Sequence, residues 1–198
     1  ERLSTFIVSV TIEDIGGSSQ YLIGNDAGIV TDSNFGDALP LMDTTKLNVS
    51  HRLKPLLAKK VIPVITGFIG ADQFGNITTI GRGGSDYTAT IIAAGSRADE
   101  VWLWSDVDGL MTADPKIVSD ARVIREASFA EALEMALFGA KYMHPRALEP
   151  AIESNIPMRI RNFMKIDDDG TLVVSNPGKN SHKIVKAISS IRHTALID

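Results

Sequence analysis

The chain has 198 residues and a mass of 21.4 kDa, with 44% hydrophobic and 22% charged residues. Those proportions suit a packed domain, or one domain plus part of another, and exclude wholesale disorder and collagen-like repeats. A balance of 20 basic against 24 acidic residues gives a formal net charge of −4, which argues against nucleic acid as the main partner, and the lack of cysteine excludes disulfides and thiolate chemistry.

Leu3, Phe6, Ile7 and Val10 recur at i, i+3, i+4 and i+7, so an amphipathic helix is predicted, ended by Gly16 and Gly17. Short strands follow at 21–23 and 28–31, split by Asn25, Asp26 and Gly28. A helix from Thr44 or Thr45 to Lys59 has Asp43 as a candidate N-cap, and Pro55 should kink it or end it early. The β-branched run 61–66 reads as a strand buried on both faces, as parallel sheets require. A strand at 77–80, an alanine-rich helix at 88–98 and a buried strand at 101–104 come next, with Trp102 and Trp104 expected in the core. Ser128 and Glu131 are spaced as a capping box for a helix to Phe138. A short helix is predicted at 147–154 despite Pro150, and a strand at 156–161. Alternating strands and helices predict a three-layer α/β/α arrangement around a mainly parallel sheet. After Phe163 the composition shifts: Asp167 to Gly170 form a polar turn, and short strands are expected at 171–174, 182–188 and 194–197.

No apolar run approaches the ~18 to 20 residues of a membrane span, and the first ten residues lack a signal-peptide shape. A cytoplasmic protein is the default expectation, and the lack of a starting Met also admits a piece that begins mid-domain.

Four stretches could carry chemistry. In Thr78-Thr79-Ile80-Gly81-Arg82-Gly83-Gly84-Ser85-Asp86, glycines let backbone N–H groups approach a ligand. Ser85 or Asp86 can cap the following helix, and Arg82 offers a fork for a carboxylate or phosphate; the bland reading is a connecting turn with an exposed Arg. The run Ser105 to Lys116 starts where a strand ends, the usual ligand position in open α/β sheets. There Asp106, Asp108 and Asp114 could meet Mg²⁺ or a ribose and Lys116 a phosphate, or the run is a structural Asp/Gly loop; EF-hand spacing is absent. In Phe138 to Arg146, Lys141 could project into a cleft, whereas a lone histidine such as His144 is more often structural, and no nucleophile partners it. The stretch from Gly24 to Asp37 reads only as turns.

Together, Thr66-Gly67-Phe68-Ile69-Gly70, Thr78 to Tyr87, Trp104 to Lys116 and Phe138 to Arg146 resemble the aspartate kinases of the amino-acid kinase family. Glu1-Arg2-Leu3-Ser4 also looks like a helix start of that family, and the resemblance runs to about Phe163. It implies the C-terminal portion of the amino-acid kinase fold over 1–165. A linker and the start of a regulatory ACT domain would follow over 166–198. The implied activity is phosphoryl transfer from ATP, with Mg²⁺, to the side-chain carboxylate of L-aspartate, the first step toward lysine, threonine and methionine. By the same resemblance Arg82 would pair with a substrate carboxylate, and Ser85 and Asp86 would flank the substrate. Asp86 would also orient a catalytic lysine, Phe68 would wall the pocket, and Glu1 would receive the ammonium group. Ser105, Asp106, Met111, Lys116, Lys141 and Tyr142 would line the nucleotide site, and no residue is assigned as a metal ligand. A homo-oligomer is implied, with neither nucleic acid nor membrane as partner.

The family's Lys-Phe-Gly-Gly-Thr-Ser stretch has no counterpart in the sequence, so an internal piece of such a kinase, inactive by itself, is expected. Two alternatives are another amino-acid kinase, such as acetylglutamate kinase, and a non-catalytic regulatory or scaffold subunit with the same fold. A Rossmann oxidoreductase is disfavoured, because the glycines at 81–84 lack the required spacing.

Overall fold

The computed structural model describes residues 1–138, 143–178 and 185–188. It divides into two compact units, Glu1–Ala98 and Asp99–Asp198. Four of the six strand ladders are parallel, which makes each unit a mixed α/β structure.

The first unit runs α1 (Arg2–Asp14), β1 (Ser19–Leu22), β2 (Val30–Thr31), α2 (Met42–Ala58), β3 (Ile62–Ile65), β4 (Ile69–Asp72), β5 (Ile77–Thr79) and α3 (Gly84–Ser96). β1 and β3 pair in parallel from Ser19↔Ile62 to Leu22↔Ile65. β2 pairs parallel with β4, and β4 and β5 form an antiparallel hairpin. Its turn is built by Asp72, whose Oδ1 accepts from the Phe74 and Asn76 N–H groups at 3.0 and 2.8 Å. Ile29, Val49, Leu53, Ile80 and Ile91 form the buried centre.

Three expectations for this unit change. The helix predicted from Leu3, Phe6, Ile7 and Val10 exists, but that stripe faces outward, with Leu3 71% exposed, while Thr5 and Ser9 are buried. Small hydroxyl residues let α1 approach β1 closely, and Ser9 Oγ meets Ser19 Oγ at 2.7 Å, so the buried polar atoms are satisfied. α2 passes through Pro55 to Ala58 and is capped by Leu41, not Asp43, which sits in the first turn. The carbonyl that Pro55 leaves without its helical partner belongs to His51, an exposed residue, so water can serve it. β3 is half-exposed rather than buried on both faces, because its sheet has two strands among the described residues.

The second unit runs β6 (Val101–Ser105), β7 (Glu126–Ser128), α4 (Phe129–Leu137), a 3₁₀ turn (Pro145–Ala147), α5 (Glu149–Ser154), β8 (Met158–Asn162) and β9 (Thr171–Val174). The sheet order is β6-β8-β9-β7. The β6–β8 and β7–β9 pairs are parallel, and β8–β9 is antiparallel. The capping box forms: Ser128 Oγ accepts from the Glu131 N–H at 3.1 Å, and Glu131 Oε2 accepts from the Ser128 N–H at 2.7 Å. Pro150 is tolerated because it falls in the first turn of α5, where its missing N–H has no helical partner anyway.

β6 alternates: Val101 and Leu103 are buried, while Trp102 and Trp104 are 49% and 45% exposed rather than core. The two rings instead flank the Arg161 guanidinium, 4.6 and 4.8 Å from their centroids. Arg161 donates from Nε to Asp168 O and from Nη2 to Ile166 O, which satisfies the buried cation. The turns lie slightly earlier than expected, at 163–164 and 166–167, and Asp168 Oδ1, accepting from the Gly170 N–H at 2.8 Å, leads the chain into β9. Residues 185–188 are not a strand, and the strand expected at 194–197 lies outside the described residues. Among the described residues no helix is long and apolar enough to cross a membrane.

Candidate functional site

In the first unit the turn after β3 and the turn before α3 come together. Thr66 is buried, and its Oγ1 accepts from the Gly24 N–H at 2.9 Å. At Gly67 an added Cβ would lie 3.0 Å from Ser85 Cα and 3.2 Å from Glu1 Oε2, so this glycine permits three segments to converge. Phe68 adopts a left-handed conformation with φ 64°, a strained state for an aromatic residue. Its N–H donates to Thr88 Oγ1 at 3.2 Å and its carbonyl accepts from the Ile80 N–H at 2.8 Å. The ring lies against Gly84, where a Cβ would be 2.5 Å from Phe68 Cδ1. The loop from Asp32 to Ala38 closes over Gly81, where a Cβ would meet the Asp37 carboxylate.

Glu1 is held in place through its backbone. Its carbonyl accepts from the Thr5 N–H, Ser4 Oγ and Thr5 Oγ1, all within 2.9 Å. Its carboxylate, the Arg82 guanidinium and the Ser85 hydroxyl have no hydrogen bond or ion pair among the described residues. α3 begins at Gly83 in the left-handed region with no side-chain cap, so the expectation that Ser85 or Asp86 caps it is corrected. Neither side chain is therefore spent on the helix's own N–H groups. Burial without a compensating partner pushes the Asp86 carboxyl pKa up.

In the second unit Ser105 ends β6, and its Oγ donates to Asp106 Oδ1 at 3.3 Å. Asn162, buried at the end of β8, donates from Nδ2 to Asp108 Oδ1 at 2.7 Å and to Asp106 O at 3.4 Å. Lys165 Nζ meets Asp108 Oδ2 at 2.6 Å. That bond, with the one from Asn162, holds the Asp108 pKa below the usual carboxylate range. Asp114 Oδ1 accepts from the Lys116 N–H at 2.9 Å, so Asp108 and Asp114 shape the loop rather than await a cation. Met111 bridges to Val123, and the Lys116 side chain is exposed. Lys141 and Tyr142 lie outside the described residues. His144 is structural, its Nδ1 accepting from the Arg146 N–H at 3.3 Å at the start of the 3₁₀ turn. Among the described residues no group of three or more His, Cys, Asp or Glu could hold a metal ion. Sequence reasoning missed Asn162, Thr88 and Asp37, because each acts through contacts distant in the chain.

Glycine-bearing turns at the end of a parallel strand and ahead of a helix, in mixed sheets flanked by helices, define an α/β protein of the kind in which ligands lie beyond the carboxyl ends of the strands. The chain belongs to the amino acid kinase family, whose model matches residues 1–162. It is 36% identical to the aspartokinase of Rickettsia prowazekii over 201 aligned positions, covering 100% of this chain and 44% of that protein. The aspartokinase of Geobacillus stearothermophilus is also 36% identical, over 96% of this chain and 45% of its own length. Escherichia coli aspartokinase III, solved in complex with aspartate and ADP, superposes with a TM-score of 0.80 at 36% identity, over 89% of this chain and 39% of its own. UMP kinase from Ureaplasma parvum shares the fold at a TM-score of 0.56 and 17% identity. The chain thus spans less than half the length of the curated relatives it matches.

Proposed function

We propose that the chain is the part of an aspartate kinase that binds L-aspartate and one side of ATP, for transfer of the γ-phosphoryl group to the substrate's side-chain carboxylate. The observation that carries this reading is the convergence of Glu1, Gly67 and Ser85, with Arg82 unpaired in the adjoining loop. A free amino acid with a second carboxylate needs both signs of charge at short range: Glu1 suits its ammonium group, and Arg82 suits a carboxylate. Phe68 would wall the pocket, and Ser85 and Asp86 would flank the substrate at the start of α3. Asp86, a partly buried carboxylate with no cation beside it, suits the orienting of a lysine. The likeness to aspartokinase III, solved with aspartate and ADP, supports both ligands.

ATP would lie along the loop after β6, with Ser105, Asp106 and Met111 on its nucleoside side and Lys116, Lys141 and Tyr142 nearer its phosphates. Cationic side chains such as Lys116 would offset the charge of the phosphates. Mg²⁺ would enter with the phosphates. Assembly as a homo-oligomer belongs to the same proposal, as does a division into a kinase portion and a regulatory start, with the boundary later than the 165 read from the sequence. β9 pairs within the second unit's sheet, so the kinase portion would extend through that strand.

Calorimetric titration with L-aspartate, N-acetyl-L-glutamate, UMP and MgADP tests the reading. Binding of L-aspartate and MgADP is expected, with the aspartate heat lost in Arg82→Ala. Preference for another acceptor, or no aspartate binding, overturns it.

A further inference from the structure

We propose that Thr88 is a positioning residue for the site between the β3–β4 turn and α3. Its hydroxyl clamps the left-handed Phe68 to the first turn of the helix and so sets the gap in which the amino-acid substrate is held. The inference rests on the aspartate reading above and adds to it a residue that touches no ligand.

A hydroxyl has one donor and two acceptor sites. Thr88 uses it in both directions: Oγ1 donates to Gly84 O at 2.6 Å and accepts from the Phe68 N–H at 3.2 Å. The first bond alone is the ordinary back-bond of a helical threonine to its i−4 carbonyl. The second leaves the helix and reaches a residue 20 positions earlier. Thr88 is 3% exposed, so its hydroxyl is held away from bulk water, where loss of a partner is costly.

Phe68 needs such a restraint. A left-handed aromatic residue is strained and persists only where its surroundings fix it. Three contacts do so: the Ile80 N–H on its carbonyl, the ring against Gly84, and Thr88 on its N–H. Ile80 and Gly84 fix its carbonyl and its ring, and among the described residues only Thr88 engages its N–H. Release of that N–H frees the turn that carries Gly67, and Gly67 is the point where Glu1 and Ser85 meet. Misplacement there acts on ligand affinity even though Thr88 itself is remote from the ligand.

The test compares Thr88→Val, which keeps the shape and removes the hydroxyl, with Thr88→Ser, which keeps the hydroxyl. Both are made in the 198-residue chain. The readouts are L-aspartate affinity by calorimetry and amide hydrogen exchange at Phe68 without ligand. Thr88→Val should weaken aspartate binding about tenfold and speed exchange at Phe68 by at least that factor, and Thr88→Ser should restore both to within about threefold. Unchanged affinity and exchange in Thr88→Val overturns the proposal. So does equal weakening in both variants, which would make the effect one of packing. If the unaltered chain binds no aspartate, the functional reading falls, and the exchange rates alone decide the clamp: faster exchange at Phe68 in Thr88→Val but not Thr88→Ser supports it, and unchanged exchange overturns it.

Discussion

Glu1, Arg82 and Ser85 hold polar side chains that no described neighbour uses, at the place where two turns meet. All three are exposed, so water solvates them in the free protein and their removal should act on ligand binding more than on folding. Arg82→Ala should weaken aspartate binding about 10- to 100-fold, the worth of a charged hydrogen bond, as read by titration calorimetry. Its melting temperature should stay within about 2 °C of the parent, because an exposed, unpaired side chain contributes little to folding. Asp86 behaves oppositely. Burial raises its pKa in the folded state, so the native protein binds the proton more readily than the unfolded chain does, and its stability falls as pH rises through the window above the unfolded value. Asp86→Asn should therefore melt higher than the parent at pH 7, with the gap closing at pH 3, in thermal scans at both pH values. A variant that melts lower at pH 7 would mean the carboxylate has a partner when folded.

At the scale of elements, two local devices decide how helices sit. α4 starts with a complete capping box, which satisfies two N–H groups at once. Ser128→Ala should cost about 1 kcal/mol of unfolding free energy in a urea titration. α2 and α3 approach closely at Gly95, where a Cβ would lie 2.6 Å from Val49 Cβ. Gly95→Ala should then destabilise by about 1–3 kcal/mol despite alanine's better helix propensity, since Val49 is buried and cannot swing away. A gain in urea midpoint would show that the helices part freely. The capping box was legible in four consecutive residues, but the Gly95–Val49 contact was not, because nothing in either local sequence indicates which helix lies opposite.

Across the whole chain, acid should loosen the second unit. Asp168 pairs with Arg125 and accepts from the Gly170 N–H, and its pKa is lowered to about 2 by the Arg125 bond first and the Gly170 bond second. Asp108 is lowered in the same direction by Lys165 and Asn162. A depressed carboxylate contributes stability that is present above its unfolded value and lost as pH falls through its folded one. For Asp168 that window runs from 3.8 down to about 2. Thermal midpoints should fall across it, and Asp168→Asn should remove part of that slope. An unchanged slope in the variant would place the acid sensitivity elsewhere.

The sequence by itself determined the family, through turn motifs long enough to be read without a structure, and it determined most elements, through periodicity and caps. It placed Arg82, Ser85 and Phe68 in glycine-bearing turns because short-range backbone demands are written locally. Only the tertiary structure decided which way amphipathic elements face. The stripe of Leu3, Phe6, Ile7 and Val10 points outward because Thr5 and Ser9 let α1 approach β1 more closely. Trp102 and Trp104 lie around Arg161 instead of in the core, because a cation 59 and 57 positions away finds its aromatic partners across the β6–β8 pair. Thr88, Asn162 and the Glu1–Gly67–Ser85 meeting point were likewise hidden: each joins segments that the chain brings together only on folding, and no periodicity in one segment encodes its partner in another.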